Sequence, residues 1–300
     1  MSGSDLIAAR PGAESAARAR SVRATRALLR RALFYAVAFG FVGVFAFPYY
    51  WMAMTALKLP GELYVSPPRY WPSQLYLTNL VVVFTERPFA VYVRNSAVIA
   101  TMTTVFCVVV GALSAYAIAR LPIRFKPLIL GSILAVTMFP RLSVVAPIFM
   151  MLRDLGWVDT YQGLFVPYAA FSLPFTMWVL VNFFRQLPRE LEEAAEIDGC
   201  TPVQALVRVV VPLAAPAVAT IAILVFISAW NEFLFALIFS RSNAVRTVPV
   251  GIVMFQGVYA QVPWGEISAA ATIVTLPLIA LVLLFQRRIV AGLTAGALKG

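Results

Sequence analysis

The chain has 300 residues, 61% of them hydrophobic and 12% charged, with a net charge of +11 and a mean hydropathy of +0.86. Soluble domains keep about a quarter of their residues charged, so the composition excludes a water-soluble globular fold, and the basic excess reads as membrane topology rather than nucleic-acid binding. There is no histidine, which removes the Ser-His-Asp arrangement and the commonest general base, and neither Cys107 nor Cys200 has C-x-x-C spacing; no enzyme, disulfide or metal site is expected.

Residues 1–31 form a polar, Arg-rich amino extension. The apolar run over 32–57 is too long for a signal-peptide core and predicts an uncleaved first span, with Pro48, Tyr49, Tyr50 and Trp51 at its far interface. A loop rich in Pro and aromatics follows over 58–95. Spans two to four are predicted at 96–119, 128–152 and 163–184, with a basic turn (Arg120, Arg124, Lys126) after the second and Pro147 breaking the third. After a charged stretch over 185–215, spans five and six are predicted at 216–240 and 268–286, and a short tail over 287–300 begins with Arg287 and Arg288. With the amino end inside, 16 of the 24 Lys and Arg fall in cytoplasmic segments and seven on the opposite side. Short cytoplasmic loops collect these residues. The expected fold is therefore all-α: a six-span transmembrane helical bundle over 32–286 with both termini cytoplasmic.

The charged stretch over 185–216 reads RQLPRELEEAAEIDGCTPVQALVRVVVPLAAP. Pro188 and the acidic Glu190, Glu192 and Glu193 suit a helix start. Gly199 supplies a left-handed stop. Thr201 as N-cap, Pro202 and Gln204 then form a capping box for a second helix, which Pro212 and Pro216 end. One reading is an amphipathic connector on the membrane surface. An acidic first helix would be repelled by anionic lipid, so a protein partner fits better.

This segment resembles the EAA loop of bacterial ABC importer permeases, whose pattern is EAA, three residues, Gly, nine residues, then Ile-x-Leu-Pro. Here Glu193, Ala194 and Ala195 are followed at that spacing by Gly199 and by Val209, Val210, Val211 and Pro212, with Val replacing Ile and Leu. Ala229 to Phe233 (AWNEF) resembles a segment of carbohydrate permeases, and the tail from Gln286 through Gly292 and Gly296 to Gly300 resembles the carboxyl end of the maltose-type second permease subunit. The resemblance implies a bacterial or archaeal cytoplasmic-membrane permease that imports a sugar-like solute. It also implies a second, homologous permease subunit, two copies of a cytoplasmic ATPase and an extracytoplasmic solute-binding protein. Its loop is a coupling helix docked in the ATPase: Glu193 the ionic contact, Ala194 and Ala195 the close-packing surface, Gly199 the bend, and Asp198 a cap or nearby pair. Glu190, Glu192 and Glu196 are expected in solvent. The chain has no GxxxxGK[ST] loop, so ATP and Mg are expected to be used by the partner ATPase and no cofactor by this chain.

Charges within spans are costly in lipid. Arg141, beside Pro140 in span three, reads either as a cavity residue donating to substrate oxygens or as a snorkelling or subunit-pairing side chain. Asn231 and Glu232 in span five read either as pore-lining groups or as an inter-helix network, and Trp230, Phe233 and Tyr168 are candidate sugar-stacking rings. The competing class is a stand-alone secondary transporter or channel, which would show paired repeats or midplane carboxylates.

Overall fold

The computed structural model describes residues 11–255 and 262–294. Expectations that fall on residues 1–10, on 256–261 of the loop before the last span, and on 295–300 of the tail lie outside the described residues.

No strand occurs among the described residues, and long apolar runs form long helices. Helix α1 spans Pro11–Ala56, about 70 Å at 1.5 Å per residue. That is more than twice the roughly 30 Å of a bilayer's hydrocarbon, so the helix continues well beyond its apolar part, Leu28–Ala56, whose most apolar stretch is not buried at all. A first unit ends at Met54 and a second begins at Thr55.

In the second unit, the loop after α1 is ordered rather than open. The Glu62 carboxylate accepts from the Leu59 and Ser73 amides and pairs with Arg69, while Lys58 Nζ donates to the Arg69 carbonyl. Helix α2 (Thr78–Thr85) leads into α3 (Phe89–Arg120), which starts seven residues before the expected span because Phe89 and Tyr92 are buried in the core. Helices α4 (Lys126–Thr137) and α5 (Arg141–Asp154) are bent by 89°. The expected break at Pro147 lies inside α5; the chain turns instead at Pro140, which lacks an N–H and holds an extended conformation (φ −60°, ψ 123°).

Helix α6 (Tyr161–Gln186) packs along α3. Gly111 permits this approach: a Cβ there would lie 2.6 Å from Thr176 Cγ2. The short α7 (Glu190–Ile197), α8 (Pro202–Ala205), a π turn at Leu206–Val210 and α9 (Val211–Leu213) lead, through a bend of 84°, into α10 (Ala215–Trp230). The expected span over 216–240 stops at Trp230, and its remainder is a separate helix, α11 (Leu234–Phe239). Asn231 Nδ2 donates to the Ile227 carbonyl and Glu232 accepts from the Phe235 and Ala236 amides. Polar side chains bonded to local backbone compete with helix continuation. Helices α12 (Val248–Val253) and α13 (Trp264–Thr294) complete the unit.

Helix α3 is central, packing against α6 and α10, with α13 on α10. One cluster of the core holds Phe89, Ile99, Tyr168, Trp230 and Phe235, and a second holds Cys107, Tyr116, Phe184, Leu206 and Ile221. Among the described residues four helices are each long and apolar enough to cross a membrane, and counting each bent pair as one span gives six.

Candidate functional site at the helix–glycine–helix unit

The expected local signals act where they stand. Helix α7 ends in a Schellman turn: Gly199 takes φ +86°, its N–H donates to the Glu196 carbonyl, and the Cys200 N–H to that of Ala195. The capping box also forms, with Thr201 Oγ1 accepting from the Gln204 amide and Gln204 Oε1 from the Thr201 amide. The second helix is less regular than expected. Pro212 cannot donate to the Arg208 carbonyl four residues back, and the turn before it widens into a π segment whose Leu206 carbonyl accepts from Val211. Two helices are thereby joined by a turn with its backbone groups satisfied, and α7 packs against α8 and the π turn.

Burial sorts the candidate residues. Glu193, Ala194, Asp198 and Gly199 are exposed, whereas Ala195 is buried and serves the packing of the unit on its own chain. The outward face also carries Ile197, 87% exposed, with Val203 and Val207 more than half exposed. A carboxylate among exposed aliphatic side chains on a stiff turn is a surface suited to protein contact.

Glu192 departs from its expected place in solvent. It is buried, with Oε1 2.6 Å from Arg120 Nε at the end of α3. The same guanidinium donates through Nη2 to the Leu187 carbonyl at 2.9 Å, and the Tyr116 hydroxyl, one turn back on α3, faces the Glu192 carboxylate. Sequence reasoning took Arg120 only as a marker of sidedness. The helical spacing of Glu192 and Ala195 on one face of α7 was the available signal for an inward surface.

The opposite end of α3 carries a second network that the sequence reading missed. Asn95, fully buried, places Nδ2 at 3.4, 3.0 and 2.9 Å from the carbonyls of Asn243, Ala244 and Arg246, and its Oδ1 accepts from the Tyr161 hydroxyl at 2.7 Å. Tyr92 donates to Asn243 Oδ1, and Ser96 Oγ accepts from the Val248 amide. Asp159, at φ +61°, accepts from the Arg241 and Ser242 amides. Burial alone would raise the Asp159 carboxyl; the bonds from Ser242 and Arg241 and the charge of Arg246 outweigh it and hold the carboxyl below its ordinary range.

The candidates within the spans lie at helix breaks. Arg141, exposed at the start of α5, sets its guanidinium 5.7 Å from the Phe171 ring centre, and that ring lies 5.3 Å from Phe235. Asn231 is exposed and Phe233 is 37% exposed, whereas Trp230 and Tyr168 are buried. Glu232 is buried as the acceptor at the start of α11, and the Tyr168 hydroxyl lies beside its carboxylate outside hydrogen-bonding geometry. Arg141, Asn231 and Phe233 thus present groups outward, and Glu232 faces inward. Among the described residues no group of three or more Cys, Asp or Glu could hold a metal ion.

Comparison with known proteins places the chain among relatives. A family described as "Binding-protein-dependent transport system inner membrane component" matches residues 27–294. The chain is 44% identical over 256 residues to the trehalose/maltose transport system permease protein of Thermococcus litoralis, covering 85% of this chain and 91% of that one. It is 45% identical over 273 residues to the trehalose transport system permease protein of Mycobacterium tuberculosis, covering 90% and 99%. It is 44% identical over 254 residues to the sulfoquinovosyl glycerol transport system permease protein of Agrobacterium fabrum, covering 85% and 89%. In fold it is similar to a chain in the crystal structure of a bacterial ABC transporter involved in the import of the acidic polysaccharide alginate. That match has a TM-score of 0.73 at 22% identity, over 85% of this chain and 95% of that one.

Proposed function

Because the chain belongs to the family of binding-protein-dependent transport system inner membrane components, we propose that it is one membrane half of an ATP-driven importer of a sugar or sugar-like solute. It is a multi-pass inner-membrane protein and a transport permease. The working complex pairs it with a second homologous permease subunit, two copies of a cytoplasmic ATPase that uses ATP and Mg, and an extracytoplasmic solute-binding protein. The Arg-rich extension over 1–31, the unit over 185–216 and the tail over 287–300 lie in the cytoplasm, and residues 32–286 form the membrane domain.

The observation that carries this reading is the outward face of the helix–glycine–helix unit. Glu193, Ala194 and Ile197 project from helix α7, whose carboxyl end is closed by a satisfied turn, as a surface that receives an ATPase requires. Gly199 sets the bend and Asp198 lies exposed beside it. Closure of the ATPase pair pushes this unit as a rigid body, and the spans reorient around the solute path. Arg141 and Asn231 are the groups that meet the solute. Both are polar and exposed, Arg141 just after the bend between α4 and α5 and Asn231 in the gap between α10 and α11, and the nearby Phe233 offers a ring for sugar stacking. The three permease relatives, whose names refer to trehalose, maltose and sulfoquinovosyl glycerol, support a sugar or sugar-like substrate.

The test is reconstitution of the complete complex in proteoliposomes, with trehalose and maltose among the probe solutes. Uptake is expected to need ATP, the ATPase and the binding protein, and Gly199→Asp is expected to abolish it while the permease pair still assembles. Uptake by this chain without ATP would overturn the proposal in favour of a stand-alone transporter or channel.

A further inference from the structure

We propose that Arg120 and Glu192 form a latch that makes the inner end of α3 move together with α7, so that the coupling unit drives a helix to which it is not adjacent in the chain. The inference rests on the coupling role proposed above and adds a route by which the push spreads. Helix α7 joins α6 through three residues, and α9 joins α10 through Ala214, so those two spans follow the unit covalently. Helix α3 has no such link: Arg120 and the Leu187 carbonyl it holds are 67 residues apart.

The geometry of the guanidinium suits a latch. Nη2 grips Leu187 before Pro188, and Nε meets Glu192 in the first turn of α7, so one side chain spans the joint where α7 begins. Both paired side chains are less than a tenth exposed. Removing one partner of such a pair leaves an uncompensated buried charge, and α7 cannot swing away from α3 without that penalty. Tyr116, buried one turn back on α3, lies close to the same carboxylate. Because α3 packs along both α6 and α10, a displacement delivered at Arg120 reaches the centre of the bundle. Arg120 and Glu192 are therefore positioning residues. The docking contacts belong to the exposed residues on the other face of α7.

The assembled transporter, with its ATPase copies and second permease subunit in lipid nanodiscs, tests this directly. Spin labels are placed at Leu121→Cys and Leu191→Cys, both exposed positions away from the proposed docking contacts, in a Cys200→Ser background, and distances are measured before and after trapping with ATP and vanadate. In the wild-type pair the label distance is expected to stay fixed on trapping, because α3 and α7 travel together. In Glu192→Gln and in Arg120→Met it is expected to shift by several ångströms, with subunit stoichiometry and basal ATP hydrolysis retained and stimulation by the binding protein lost. The exchanged pair, Arg120→Glu with Glu192→Arg, should restore both readouts in part, because the ion pair re-forms while the Leu187 carbonyl loses its donor. Label distances that respond to trapping in the single variants as they do in wild type overturn the latch. So does a loss of stimulation that tracks loss of ATPase from the purified complex and is not restored by the exchange. Failure of the coupling role itself would appear separately, as wild-type permease that purifies without ATPase.

Discussion

At one end of α3, Asn95 and its neighbours hold the 243–248 segment through neutral, directional bonds to at least four backbone groups. At the other end, Arg120 meets Glu192 in a single short ion pair supported by one carbonyl. Many directional bonds define a shape, since each loses most of its strength when its angle changes. The attraction of a buried ion pair depends on separation rather than angle, so it survives reorientation and transmits displacement. One helix thus has an end built to stay in place and an end built to be moved.

The largest expected effect comes from breaking the fixed end. Asn95→Leu leaves two or three carbonyls and the Tyr161 hydroxyl without their partner in a buried site. At about 1–3 kcal/mol for each unsatisfied group, the purified protein should lose several degrees of thermal midpoint in detergent. A midpoint within a degree of wild type would show that water replaces the amide and that this end is not fixed. Gly251→Ala should cost less, about 1–3 kcal/mol. A methyl there overlaps the Tyr92 ring, and relief requires moving a buried side chain whose hydroxyl holds Asn243. The thermal midpoint checks this, and restoration by Tyr92→Leu, which vacates the space, would sharpen it.

The smallest effect is a pH response confined to the same end. Because the folded Asp159 carboxyl lies below its ordinary value of 3.8, its contribution is fully present above that value and is lost as the pH falls through the depressed one. Thermal stability should therefore be insensitive to this residue between pH 7 and 5 and decline below about pH 4, with the wild-type advantage over Asp159→Asn vanishing there. An advantage that persists at pH 3 or below would place the carboxyl lower still. Disappearance near pH 6 would contradict the arrangement.

What the sequence disclosed and what it hid follow from the range of the interactions. Gly199, Thr201 and Gln204 were legible because a left-handed turn and a capping box are made by residues within three positions of one another. The long apolar runs were legible because lipid imposes one length scale. Which proline bends span three was not: Pro140 and Pro147 both lack a donor, and choosing between them takes the packing of two helices. The separation of α11 from α10 was hidden for a related reason. Nothing in AWNEF says whether Glu232 faces an open path or the first amides of the next helix. Glu192 among four glutamates in a row of seven is indistinguishable from its neighbours until α3 supplies Arg120. The exposed and buried members of Ala194 and Ala195 separate only once α7 has a side to lie on.

Asn95 also bears on how the chain is made. Its carbonyl partners lie 148 to 151 residues further along, so the Nδ2 group of α3 must wait for them through the synthesis of three more spans, although Tyr161, 66 residues on, can meet its Oδ1 earlier. Only when the 243–246 segment emerges does that end close. Asn95 therefore closes its network late in synthesis: a chain cut short before residue 243 leaves the Nδ2 group without the three carbonyls it meets in the complete fold.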